Sequence, residues 1–328
     1  MKRAIPLIFV ILVLLSFSRL SAIKEYKVDA QVDHNPKMKV AFVTSPARFP
    51  DQVLLKRGVS MMKSKGLQVV EGRSCSVYLS DQEKARELEE AFVNPDVDFI
   101  IASRGGHGSF RLLKYLNWER IKQNPKPIVG YSDITALLLA IYFKTGMITY
   151  HGPMVTVELD NDEKSMENML EVLNGEKVIQ FDGNREAIVP GVMTGRLIVG
   201  NLSLFKTLQG TEYFGSLKDA ILVLEDVGES RESIERMVWG IANLKEYNEL
   251  RGIIFAGFTN IENAGFNEIV EILENLFADA PFPVWIGLPI FHGDLPKLTL
   301  PVGAWVKIDM KKGTIEILDD PLLNNKLF

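Results

Sequence analysis

Between residues 39 and 151 the chain repeats one pattern: a short apolar run, a turn, then a stretch with helical spacing. "MKVAFVTSP" reads as a strand running into a loop, and "DQVLLKRGVSMMKSKG" has helical spacing that ends on Gly66. "LQVV" is a short strand, and "SDQEKARELEEAF" opens on a Ser80/Asp81 cap and continues as an amphipathic helix. "VDFIIAS" is a strand of the buried kind, followed by a glycine-rich turn and the helix-like "FRLLKYL". "KPIVGYSD" is a further strand, "ITALLLAIYFKTG" a buried helix and "MITYHGP" another strand. Strands alternating with helices predict an α/β domain with a mainly parallel sheet, because parallel neighbours need a crossover that a helix supplies.

The polar stretch "ELDNDEKSMENMLEVLNGEKV" interrupts this rhythm and reads as a helix plus a connection. A second α/β unit starts near Val189, with "GVMTGRLIVGNLSLFKTLQG" as strand, Gly-Asn turn and helix. "DAILVLEDVG" is a strand ending in two acids, and "SRESIERMVWGIANL" is a helix with Ser230 as its cap. "LRGIIFAGF", "FPVWIGLPIFHG" and "GAWVKIDMKKGTIEIL" supply further strands. The expected organisation is therefore an N-terminal domain over 38–160, a connection over 161–188 and a C-terminal domain over 189–318. The 328 residues accommodate two such units.

A net charge of −5 gives no basic face for nucleic acid. The single cysteine, Cys75, excludes an internal disulfide and cysteine-rich zinc sites. At the start, Lys2 and Arg3 precede an apolar run from about Ala4 to Phe17 and small residues ending at Ala22. That is a secretory signal pattern over residues 1–22, and the run is short beside the roughly 20 residues of a membrane span. The expectation is export to the periplasm or cell-wall compartment, with no stable membrane span. An uncleaved N-terminal anchor is the alternative.

Ser109, in "ASRGGHGSFRLLKYL", stands where a buried strand turns sharply toward a helix. Such a turn can expose a nucleophilic hydroxyl and aim backbone N–H groups at one point. The same geometry suits a helix cap or a phosphate cradle. Arg111 replaces the second glycine of Gly-x-Ser-x-Gly, and the Lys-Ser/Thr pair of a P-loop is absent. A serine nucleophile needs a base, and the base an orienting acid. The histidines are His34, His107, His151 and His292; the last two follow strand-like runs and can reach a pocket at strand ends. Glu225 follows "AILVL" and is the matching candidate acid.

Residues about 39 to 310 resemble the LD-carboxypeptidase family of serine peptidases. The resemblance rests on "ASRGGHGSFRLLKYL", "GYSDITALL", "YHGPM", "GRLIVGNLSLFKTLQGT", "ILVLEDVGES", "IERM" and "HGDLPKLTLPVGA", in the family's order and spacing. It implies an N-terminal α/β domain, a C-terminal domain with a partly barrel-like sheet, and an active site between them. Carried over by motif, it makes Ser109 the nucleophile, Glu225 the acid and His292 the base. Gly106, His107, Phe110, Asp133, His151 and Asn201 are then the candidate oxyanion and substrate-binding residues, with the Phe110 N–H as one oxyanion donor. His107 stands where the family usually has Tyr.

The family reaction removes a terminal D-alanine from the L-centre of a diaminoacid in a murein tetrapeptide. The implied partner is thus a murein peptide or muropeptide; a homodimer is carried over from the family. The triad needs no metal and no cofactor motif appears. Two rival readings remain: a relative of the microcin C immunity peptidases, which cut an amide in a peptide-nucleotide toxin, and a non-catalytic muropeptide-binding protein.

Overall fold

The computed structural model describes residues 39–293 and 296–319. The signal-like segment 1–22 and His34 lie outside these residues. Among the described residues, no helix is long and apolar enough to cross a membrane.

The first sheet is built from β1 (Val40–Thr44), β2 (Gln68–Glu71), β3 (Phe99–Ala102), β4 (Ile128–Gly130) and β5 (Thr149–His151), all parallel. The second begins with β6 (Val178–Gln180), inside the stretch read as a connection, and β7 (Glu186–Val189), which straddles its end. β8 (Met193–Asn201), β9 (Ala220–Val227), β10 (Gly252–Thr259) and β11 (Val284–Ile286) form its parallel centre. β12 (Leu300–Val302) returns to the first sheet, antiparallel to β5. β13 (Trp305–Asp309) and β14 (Thr314–Ile317) complete the second. The strand orders are β12-β5-β4-β3-β1-β2 and β6-β14-β13-β8-β9-β10-β11-β7. The chain is a two-domain α/β protein whose second sheet curls into a half-barrel.

Local chemistry explains the helix positions. Ser80 and Glu83 form a reciprocal capping box at the start of helix Asp81–Val93, and Ser230 accepts from the Ser233 N–H to cap helix Arg231–Ala242. Helix Gln52–Ser64 is capped by Asp51, whose carboxylate accepts from the Val53 and Leu54 N–H groups. The stretch after the glycine-rich turn is not one helix. It is a 3-10 segment over Ser109–Tyr115 followed by a short helix Trp118–Lys122. Cys75 is fully buried, and burial pushes its thiol up to about 12, so it packs and does not react.

Helix Thr135–Thr145 joins the two halves. Seven consecutive residues from Thr135 to Ile141 are fully buried, which suits a helix covered on all sides. It packs against β4 and β5 of the first sheet and β8 of the second. At its first turn, Thr135 Oγ1 accepts from the Asn201 N–H at 3.0 Å. Gly200 makes the approach possible: a Cβ there would stand 2.3 Å from Thr135 Cγ2. Gly200→Ala should therefore cost about 1–3 kcal/mol through overpacking, read as a lower urea midpoint with unchanged slope. A midpoint equal to that of the parent protein would show that this seam is not close-packed.

Candidate active site

The sites sit where parallel strands end. In open α/β sheets, the carboxyl ends of the strands leave side chains and loops facing a common crevice. β4 ends at Gly130 and leads through Tyr131 into a 3-10 turn Ser132–Ile134, then into helix Thr135–Thr145. Ser132 has φ 61, in the left-handed region that non-glycine residues rarely occupy. Such strain, of order 1–3 kcal/mol, persists only where the surroundings impose it. Here Gly130 is held against Ile134 and Ala102, and Gly105 of the glycine-rich turn lies against Ser132. A Cβ on Gly105 would come within 2.9 Å of Ser132 Cβ. This is the strand-to-helix elbow geometry that presents a serine hydroxyl.

The second half supplies the other two groups. Glu225 is the sixth residue of β9 and is fully buried. β10 carries a bulge between Phe255 and Gly257, beside Glu225; bulges of this kind re-aim side chains next to active sites. Gly257 lets Phe291 lie directly on the strand, since a Cβ there would meet Phe291 Cγ at 2.7 Å. His292 follows at once. Its Nδ1 lies 2.7 Å from Glu225 Oε2 and its Nε2 lies 3.0 Å from Ser132 Oγ.

The roles of the two ring nitrogens follow from charge. Burial alone would push the Glu225 carboxyl up, but the hydrogen bond from the His292 N–H, with the nearby Lys297 ammonium, brings it below its ordinary value. An ionised carboxylate only accepts, so Nδ1 carries the proton and Nε2 offers its lone pair to the Ser132 hydroxyl. Asn201 Nδ2 approaches Glu225 Oε1 at 3.4 Å and donates to Asp226 Oδ1 at 2.7 Å. Asp226 is pushed up to about 6 by burial. Asn201 therefore orients the acid pair from the end of β8.

Ser109 does not belong to this chain of contacts, and the sequence-based assignment of the nucleophile is corrected here. Its hydroxyl is fully buried and donates to the Asp133 carbonyl, not to an imidazole. Its N–H donates to Asp133 Oδ2 at 2.8 Å, while the Gly108 N–H donates to Asp133 Oδ1 at 3.1 Å. Ser109 thus clamps the turn that carries Ser132; it does not cap the 3-10 segment, whose N-cap is Gly108 without a side-chain bond. Asp133 acts as a buttress in the same clamp.

The remaining candidates separate. Gly106, with φ +126, packs against Arg48, and His107 stands exposed edge-on to Phe110 with ring centroids 5.4 Å apart. The Phe110 N–H follows Ser109 in the 3-10 segment, whose Ser109 N–H donates to Asp133. His151 is completely buried and donates from Nε2 to the Ile290 carbonyl at 3.3 Å. The missed residue is Ser132. Its signal was present in "VGYSDITALL", which also runs strand, serine, helix.

A polar cleft of about 630 Å³ opens over His292, lined by Tyr131, Glu158, Asn161, Thr259 and Asn260 among others. A more apolar hollow of about 670 Å³ is walled by Phe258, Phe266, Leu288 and Phe291. Of the two, only the polar cleft has His292 in its wall. Among the described residues, no cluster of three or more His, Cys, Asp or Glu side chains could hold a metal ion.

A buried acid, an imidazole and a serine on a strained elbow define a serine hydrolase class of site. Residues 41–152 match the LD-carboxypeptidase N-terminal domain and residues 194–308 match the LD-carboxypeptidase C-terminal domain, so the chain belongs to the LD-carboxypeptidase family of serine-type peptidases. It is 29% identical to the murein tetrapeptide carboxypeptidase of Pseudomonas aeruginosa over 64% of this chain and 70% of that one. It is 28% identical to the microcin C7 self-immunity protein MccF of Escherichia coli, over 86% of this chain and 93% of the other. The structure of a muramoyltetrapeptide carboxypeptidase from Oxalobacter formigenes superposes with a TM-score of 0.76 at 25% identity, covering 86% of this chain and all of that one (100%).

Two outcomes follow from this geometry. Ser132→Ala should lose several orders of magnitude in turnover, leaving about 10³-fold over water at most. Ser109→Ala should keep activity within about tenfold and lose about 0.5–1.5 kcal/mol of stability with one hydrogen bond. Steady-state hydrolysis and thermal melting of both variants check this; an inactive Ser109→Ala beside an active Ser132→Ala would restore Ser109 as nucleophile.

Burial pushes His151 down to about 4 from 6.5, so it stays neutral while its unfolded counterpart takes up a proton. Between those two values the unfolded chain binds more protons, and stability falls as pH drops from 6.5 to 4. The loss attributable to this residue is about 3 kcal/mol. Urea midpoints measured across that window should drop with acid, and His151→Gln should flatten the drop.

Proposed function

We propose that this protein is a serine carboxypeptidase that hydrolyses an L,D-peptide bond and releases the terminal D-alanine of murein tetrapeptides. The single observation that carries the reading is the hydrogen-bonded series Ser132–His292–Glu225, at 3.0 and 2.7 Å. In this reading the Ser132 hydroxyl attacks the scissile carbonyl as His292 Nε2 takes its proton. The amine leaves with that proton, and water then repeats the sequence on the acyl-enzyme. Glu225 holds the tautomer and stabilises the imidazolium, a contribution of proton-transfer catalysis of about 10²- to 10⁴-fold. The Asp133 N–H, directly after the nucleophile, and the backbone of the Gly105–Gly106 turn beside Ser132 are the groups placed to stabilise the tetrahedral oxyanion.

The murein substrate is supported by the named activities of the Pseudomonas and Oxalobacter relatives. Export through residues 1–22 would set the enzyme beside its substrate in the wall compartment. The similarity to MccF over most of both chains favours one second reading, an immunity-type hydrolase of an aminoacyl nucleotide amide.

Mass spectrometry of purified muropeptides after incubation with the protein tests the proposal. Conversion of tetrapeptide to tripeptide plus free D-alanine, absent with Ser132→Ala, is expected. Intact tetrapeptide alongside cleavage of an aminoacyl sulfamoyl nucleotide would replace the first reading with the second.

A further inference from the structure

Lys297 is an ammonium in the interior, with its side chain 1% exposed. Buried lysines are costly unless every donor is met. Here Nζ donates to the Phe291 carbonyl at 2.6 Å and the Ile290 carbonyl at 3.3 Å, and it lies 3.5 Å from Glu158 Oε1. These are three acceptors for three N–H bonds. A neutral amine, with two donors and a lone pair, would set that lone pair against one of the acceptors, so the geometry calls for the charged form. Nζ also stands 4.0 Å from the centroid of the Tyr131 ring, over its face.

The partners tie the two halves of the site together. Phe291 and Ile290 are the residues directly before His292. Tyr131 is the residue directly before Ser132, and its hydroxyl donates to Glu158 Oε1 at 2.8 Å. Glu158 Oε2 is held by the Met154 N–H at 3.1 Å. One cation therefore grips the chain that delivers the base and the ring that precedes the nucleophile. The main chain of Lys297 is fixed in turn, its N–H donating to Ser165 Oγ at 2.7 Å.

We infer that Lys297 is a positioning residue for the reaction: its ammonium sets the distance between His292 Nε2 and Ser132 Oγ by clamping the Ile290–Phe291 carbonyls to the Glu158–Tyr131 pair. The inference rests on Ser132 and His292 being the reacting pair. Lys297 lies outside the reacting atoms and acts through Phe291 and Tyr131. Loss of the clamp lets His292 drift, and displacements near 1 Å can cost about 10²-fold in rate.

The test uses the full chain and two variants. Lys297→Met removes the clamp but strands Glu158 as an unpaired interior charge, so instability alone could lower its activity. Lys297→Met/Glu158→Gln removes both charges and restores neutrality. Two readouts are taken: tetrapeptide turnover, and the rate at which a fluorophosphonate labels Ser132, which needs the imidazole but not the natural substrate.

For the double variant the expectation is a melting midpoint near that of the parent, KM within about threefold, and kcat and labelling rate lower by about ten- to a hundredfold. A double variant with the parent's kcat and labelling rate would overturn the inference, leaving Lys297 a packing residue. A double variant whose activity returns together with its melting midpoint would overturn it equally. A parent protein that labels at Ser132 but leaves tetrapeptide intact would overturn the substrate reading only, and the labelling rates would still decide the role of Lys297. A parent that does not label at Ser132 would overturn the reacting pair and this inference with it.

Discussion

The contact between His292 and Ser132 joins residues 160 positions apart, and most of the described fold serves to bring them together. Neither residue could hold this place by local structure. Ser132 needs the end of β4 and the glycine-rich turn pressed against it. His292 needs Phe291 seated on Gly257 and a carboxylate waiting inside β9. The two supports belong to different sheets, so the distance between His292 and Ser132 depends on how the sheets are joined. They are joined by a buried helix whose first residue, Thr135, bonds the Asn201 N–H, and by β12, which leaves the second half of the chain to pair with β5.

Electrostatics around the site divides labour among four buried ionisable groups. Glu225 is kept ionised by the imidazole it orients. Its chain neighbour Asp226 is raised by burial, satisfied by Asn201 and two backbone N–H groups, and anchors the end of β8 and the helix that follows. His151 is kept neutral chiefly by burial, with the Lys297 charge acting in the same direction, and spends its N–H on Ile290. Lys297 donates to the same carbonyl. The chain before His292 is thus held by one side chain from β5 and by one from further along its own loop.

Two serines share one local pattern, and only the fold separates them. "IIASRGGHGS" and "PIVGYSD" both run from a buried strand into a turn bearing serine. The glycine-dense version looks like the stronger elbow. In the fold its glycines serve a different need, close approach: Gly105 abuts Ser132 and Gly108, at φ 116, turns the chain so that its N–H and that of Ser109 reach Asp133. The true elbow keeps a serine at positive φ, and the backbone angle of a single residue leaves no mark in composition or periodicity.

What the sequence by itself determined is the part governed by period and by local chemistry. The strand–helix alternation, the Ser80 and Ser230 caps and the buried character of helix Thr135–Thr145 were all legible there, and so was the candidacy of Glu225 and His292, whose 2.7 Å contact the fold supplies. Family membership was legible as well, since motifs in order need no coordinates. The tertiary structure alone decided which serine meets His292, that Leu300–Val302 belongs to the first sheet, and that Lys297 is an interior cation. Each of these depends on contacts between residues far apart in the chain. Hydrophobic pattern says which face of an element is buried but not against what, and a hydroxyl becomes a nucleophile only through the neighbour that takes its proton.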